Sequence, residues 1–132
     1  MMRGVKGEEV FLIVDNKVGK LEEVAGTVKE SRVNIRAISA WGVEDKAFFR
    51  LITSDNDKAK GALKRVGSVE SKEVVIVEMP DEVGQLHALA AKLKDANIDI
   101  SHIYGTTSEE GRPAIVVFAC NDNEKALQAI SA

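Results

Sequence analysis

The chain has little of what most catalytic or secreted proteins display. A single cysteine, Cys120, among 132 residues allows no internal disulfide, and only two histidines are present. His87 and His102 lie far apart, with no Cys or carboxylate neighbour at metal-ligand intervals, so no metal is expected. No apolar run approaches the ~20 residues of a membrane helix, and Met1 to Glu9 lacks the apolar segment of a secretion signal. The expected setting is therefore reducing and cytoplasmic, without a membrane partner. Net charge is only -3, and Lys/Arg alternate with Asp/Glu instead of clustering, which leaves no electrostatic footprint for nucleic acid. No Ser/His/Asp or Cys/His grouping occurs, and the glycines stand singly without forming a phosphate loop, so neither an enzyme nor a cofactor is expected. Cys120 ends an apolar run and has no basic neighbour, which reads as an inert thiol.

What the chain does contain is a repeat. Asn16-Lys17-Val18-Gly19-Lys20-Leu21 returns half a chain later as Asp81-Glu82-Val83-Gly84-Gln85-Leu86. Val18, Leu21, Val24, Ala25 and Val28 share their intervals with Val83, Leu86, Leu89, Ala90 and Leu93, a spacing that predicts one buried helical face in each half. The β-branched runs Val10 to Val14 and Val74 to Val77 come just before. Each Gly thus stands where a strand turns into a helix, the place where a small anion is most easily held.

The first helix is expected from Val18 to Glu30. Asn34-Ile35 and Asn97-Ile98 then read as helix stop and strand start, because Asn tolerates the left-handed backbone. Matching Asn34 to Asn97 aligns Trp41-Gly42 with Tyr104-Gly105 at the ends of second strands Ile35 to Val43 and Ile98 to Thr106. Turns are predicted at Glu44-Asp45 and Ser108 to Gly111, followed by strands Ala47 to Thr53 and Ala114 to Cys120. Asp55-Asn56 and Asp122-Asn123 supply N-caps for second helices. Ser68 to Ser71 reads as a short closing strand of the first repeat, and nothing equivalent follows the last helix of the second.

The fold class is therefore α+β: two tandem ferredoxin-like βαββαβ units, residues 1–72 and 73–132, the second lacking its last strand. Each is expected to be an antiparallel sheet in the order 4-1-3-2 with helices on one face. An excess of consecutive apolar strand residues, such as Phe48-Phe49 and Ile115 to Phe118, argues for sheet stacking or edge pairing between chains.

The Val-Gly-x-Leu turn, the Asn-Ile start of strand 2 and their recurrence resemble the ACT domain, the small-molecule regulatory module attached to many enzymes of amino-acid metabolism. The resemblance covers nearly the whole chain as a stand-alone tandem. It implies a non-catalytic regulatory protein that pairs side by side through second strands, hence a homodimer, with a metabolic enzyme or regulator as a further partner. It also implies an amino acid or similar small effector at the seam between the strand 1 to helix 1 turn and strand 2. By position this points to Asn16, Val18, Gly19, Lys20, Leu21, Asn34 and Ile35, and to Asp81, Val83, Gly84, Gln85, Leu86, Asn97 and Ile98. The Pro that commonly precedes the turn Gly is Val18 or Val83 here.

The residue chemistry agrees with that expectation. An amino acid needs exposed N–H donors beside an acceptor; a Gly leaves the first-turn amides open, and an Asn amide supplies both functions. The same residues also read blandly, the glycines as small turn residues and the asparagines as helix stops. Two other functions stay open. One is a pure protein-assembly module without a small ligand, with Trp41 and Tyr104 at its interface. The other is an RNA-binding ferredoxin-like domain, faintly echoed by Lys46-Ala47-Phe48-Phe49-Arg50 and opposed by the acidic charge.

Overall fold

The computed structural model describes residues 2–107 and 112–132. The turn expected at Ser108 to Gly111 lies outside them. The chain divides into two compact units. The first is Glu8–Lys72, and the second joins the segment ending at Gly7 to Glu73–Ala132. Ten elements follow in order: β1 (Arg3–Asp15), α1 (Lys20–Glu30), β2 (Ile35–Val43), β3 (Lys46–Thr53), α2 (Asn56–Leu63), β4 (Ser68–Pro80), α3 (Gln85–Asp95), β5 (Ile100–Thr106), β6 (Pro113–Cys120) and α4 (Asn123–Ser131). The fold is α+β and antiparallel, as expected.

In the first unit the strands lie in the order β2-β3-β1-β4, which is the expected 4-1-3-2 read from the other edge. Leu12 stands opposite Phe49 across β1 and β3, and Ala40 opposite Phe49 across β2 and β3. Strand alternation then sends Val10, Leu12, Val14, Ala47, Phe49 and Leu51 to the helix side, where they pack with Val24, Val28, Ala59 and Leu63. Helix α2 starts as anticipated, with Asp55 accepting from the Lys58 amide at 3.1 Å; in α4, Asp122 accepts from Lys125 at 3.0 Å. These caps satisfy donors that the first turn leaves without an intrahelical partner.

The second unit repeats this plan as β4-β6-β5 with α3 and α4, its core built from Val75, Val77, Leu89, Leu93, Phe118, Ala126 and Ile130. Among the described residues α4 is the last element, and the fourth strand of this unit comes from elsewhere in the chain. Its place beside β4 belongs to the first residues of β1, Arg3 to Gly7. Met2 packs on the second core, and Lys6 Nζ reaches Glu124 at 2.6 Å and Glu73 at 3.9 Å. Close approach explains the two glycines in this segment. A Cβ at Gly4 would sit 3.2 Å from Ile130 Cδ1, and one at Gly7 only 2.5 Å from Ile76 Cδ1.

Two expectations change. Ser68 to Ser71 and Val74 to Val77 are not separate strands, because Lys72-Glu73 continues the extended chain and β4 runs unbroken to Pro80. The alignment of second strands also shifts by two residues. Arg32 and Asn97 hold equivalent left-handed positions, both with φ 59°. Asn34 and Asp99 each accept through their carbonyls from the residue after the third strand, Ser54 and Asn121. Asn34 thus corresponds to Asp99, and Trp41 to Thr106, not Tyr104. A two-residue slip returns every side chain to the same face, so alternation cannot detect it.

Candidate functional site

Gly19 and Gly84 each immediately precede a helix with φ of 93° and 88°. A Cβ at either position would meet nothing within 4 Å. Glycine is required by the left-handed backbone here and not by crowding. Neither α1 nor α3 has a side chain capping its N-terminus; the Lys20 and Gln85 amides turn back to the Lys17 and Glu82 carbonyls at 3.2 and 3.4 Å, and the next amides of each first turn are left without a side-chain cap.

The apolar residues of the turn face outward. Val18 and Val83 are fully exposed, and Leu21 and Leu86 are each 59% exposed. This corrects the helical stripe read from the sequence, whose buried members are Val24 and Val28 in α1 and Leu89 and Leu93 in α3. The helices begin only at Lys20 and Gln85, so the valines precede them, and the leucines lie on a first turn that the unit's own core does not cover. The two repeats agree at all four positions.

Each turn is tied to the end of its neighbouring hairpin. Asn16 donates from its backbone N–H to the Asp45 carbonyl at 2.9 Å and from Nδ2 to the Glu44 carbonyl at 3.1 Å. Its side chain lies over Gly42, where a Cβ would come within 2.7 Å of Nδ2. In the second unit Thr107 Oγ1 donates to Asp81 Oδ2 at 2.8 Å. Beside the first turn, Lys46 donates to Asp15 at 3.1 Å and holds that carboxyl below its ordinary range. Lys20 is engaged by Glu23 at 2.8 Å.

The second turn opens on a cavity of about 310 Å³, bounded by β4, the start of α3, and the facing ends of β5 and β6. Asp81, Gln85 and Leu86 line it, so three of the sequence-derived residues converge. Val83 and Gly84 are exposed beside it. The remaining walls were missed by the sequence reading: Met79, Glu82, Gly105, Thr106, Ala114 and Val116 are among them. Gly105 is the one available signal, a residue without a side chain near the end of a strand.

Asn34, Ile35, Asn97 and Ile98 do not join the turns within their own units. They lie beyond the opposite end of α1 or α3, helices of 11 residues and thus about 16 Å long. Asn34 donates from its backbone N–H to Ser54 Oγ at 2.9 Å, and with Ile35, Lys29 and Arg32 lines an open cleft of about 430 Å³. Asn97 closes α3 in the left-handed conformation, and the Ile98 N–H reaches the Leu93 carbonyl at 2.9 Å.

The sheet face opposite the helices differs between units. In the first, Phe48 stacks on Trp41 and Phe11, with centroid separations of 5.5 and 6.1 Å. Arg50 lies over Phe11 and pairs at 2.5 Å with Glu9, which is 1% exposed. Phe49, half of the RNA-domain echo, is instead a core residue.

Residues 5–131 match the family model described as an ACT domain pair. The chain belongs to that family. The ACT pair also has close structural counterparts. Protein BT0572 from Bacteroides thetaiotaomicron is 25% identical with a TM-score of 0.86, over 97% of this chain and 88% of that one. The ligand-free regulatory subunit of aspartate kinase from Thermus thermophilus is 14% identical with a TM-score of 0.67, over 97% and 94%. The corresponding subunit from Thermus flavus is 17% identical with a TM-score of 0.61, over 98% and 95%. The latter two share the fold. No curated protein sequence matches the chain. Membership in the ACT pair family supports a small-molecule-sensing regulatory module. Among the described residues, no helix is long and apolar enough to cross a membrane.

Proposed function

We propose that this ACT pair is a non-catalytic, cytoplasmic regulator that binds an amino acid or related metabolite at its strand-to-helix turns and acts through dimer or partner contacts. The observation that carries the reading is the cavity at the second turn, where carboxylates, a carboxamide and hydroxyls meet an apolar wall beside uncapped helix amides. Those groups suit a ligand bearing an ammonium, a carboxylate and a short side chain. Side-by-side pairing through β2 and β5, the edge strands of their units, would bring the start of a second strand in one copy toward a turn in another. Asn34, Ile35, Asn97 and Ile98 would then complete sites begun by Asn16 to Leu21 and Asp81 to Leu86. Ile38 and Ile103, each 42% exposed on those strands, speak for such a contact. The regulatory aspartate kinase subunits sharing the fold suggest a metabolic enzyme as the further partner.

A thermal-shift screen of the purified chain against the standard amino acids tests the reading. A ligand at a hundred times its Kd adds ~2.7 kcal/mol of stability; silence of all compounds at millimolar concentration refutes it. The exposed turn valines and leucines favour a second reading, assembly without a small ligand, which predicts a dimer whose melting temperature ignores every compound.

A further inference from the structure

We infer that the two repeats are not equivalent sensors: only the second unit holds an effector, and it selects an aliphatic α-amino acid. This rests on the reading above that a strand-to-helix turn binds an amino acid, and narrows it from both turns to the second. Strand register makes the two turns comparable wall by wall. Gly105 faces Val116 across β5 and β6; Ala40 faces Phe49 at the same place in β2 and β3. The missing Cβ of Gly105 would stand 3.5 Å from Val116 Cγ2, so a hydrogen and an isopropyl group leave open the space that a methyl and a phenyl take in the first unit. Phe49 is 3% exposed and belongs to the first core.

Charge separates the turns as well. Among the described residues the cavity is lined by Asp81, Glu82 and Gln85 and by no Lys or Arg, whereas the first turn has Asn16, Lys17 and Lys20 at the corresponding positions. Two carboxylates at the mouth draw in an ammonium, and a side-chain carboxylate, unlike the α-carboxylate at the helix amides, would face them without a compensating donor, which disfavours an acidic side chain. Asp81 Oδ2 already accepts from Thr107, which fixes the group for a further contact through its other oxygen. The ligand carboxylate meets the uncapped amides at the start of α3. Met79, Leu86, Ala114 and Val116 remain to receive a hydrocarbon side chain. A volume of about 310 Å³ lies at the small end of ligand pockets, which start at roughly 300 Å³.

The test is isothermal titration of the full chain with L-valine, L-leucine, L-lysine and L-aspartate. The expected result is one aliphatic amino acid bound per chain, with aspartate at least tenfold weaker. Transplanting the first unit's pair, Gly105→Ala with Val116→Phe, should weaken binding at least tenfold while the circular dichroism spectrum stays unchanged. Asp81→Asn probes the charge without adding volume, and it too should weaken binding at least tenfold if the double variant does not fold. Two ligands per chain, aspartate binding as well as leucine, or full affinity in Asp81→Asn would overturn the inference and leave the effector reading standing. If none of the standard amino acids binds, the effector reading falls, and this inference with it.

Discussion

Replacing Gly84 separates a conformational requirement from a steric one. Its φ of 88° costs a residue with a Cβ about 1–2 kcal/mol, and the lost flexibility of the unfolded chain returns up to ~1 kcal/mol. Gly84→Ala should therefore destabilise by about 1 kcal/mol, a melting shift of about 4 °C for a chain of this size. Because nothing lies within 4 Å of the new Cβ, Gly84→Lys should cost the same within error, and Gly84→Asn less, since Asn enters the left-handed region more easily. Gly67 is the control. Its φ is negative, but a Cβ there would overlap the Ile13 carbonyl oxygen, so β4 must move from β1 and Gly67→Ala should cost more than Gly84→Ala. Urea unfolding of the four variants decides the matter. If Gly84→Lys proves much worse than Gly84→Ala, crowding and not backbone geometry holds that glycine, and the open turn is misread.

The Glu9–Arg50 pair gives a second test. Glu9→Ala leaves Arg50 half-buried without its carboxylate and should cost about 3–5 kcal/mol, while Glu9→Val with Arg50→Val should be near neutral or stabilising in the same melts. The second unit already carries Val74 and Val117 at these places. Two exposed ion pairs predict small pH effects of opposite sign. Lys46 lowers the Asp15 pKa, so that contribution is present above the ordinary carboxylate pKa of about 3.9 and fades as pH falls through the lowered value; Lys46→Ala should flatten the acid limb of stability against pH. Glu124 and Glu73 raise the Lys6 pKa, so its contribution holds below about 10.4 and is lost as pH rises through the raised value; Glu124→Gln should flatten the alkaline limb.

The repeat and the order of elements were legible because each rests on local chemistry: β-branched runs, a Gly before each helix, and Asp caps at Asp55 and Asp122. Three features were not. The two-residue slip between Asn34 and Asn97 is invisible to a pattern of period two. The outward Val18 and Leu21 continue the helical spacing of Val24 and Val28, and spacing carries no information about where a covering partner ends. The strand completing the second unit has too few apolar residues in Arg3-Gly4-Val5-Lys6-Gly7 to be read as one. Its signal is the pair of glycines, meaningful only once Ile130 and Ile76 are known to crowd them. Of the residues that line the cavity at the second turn, Asp81, Gln85 and Leu86 belong to the turn motif, whereas Gly105 and Val116 come from strands distant in sequence.

That borrowed strand sets an order of events during synthesis. Once Lys72 has left the ribosome, every residue of the first unit exists and its strands can close. Arg3 to Gly7, made earlier than all of them, must wait for β4 and α4 before Gly4 finds Ile130 and Lys6 finds Glu124. The beginning of the chain is thus among the last parts to be seated, and a cut between residues 72 and 73 would not yield two whole modules, since the second would leave its closing strand behind.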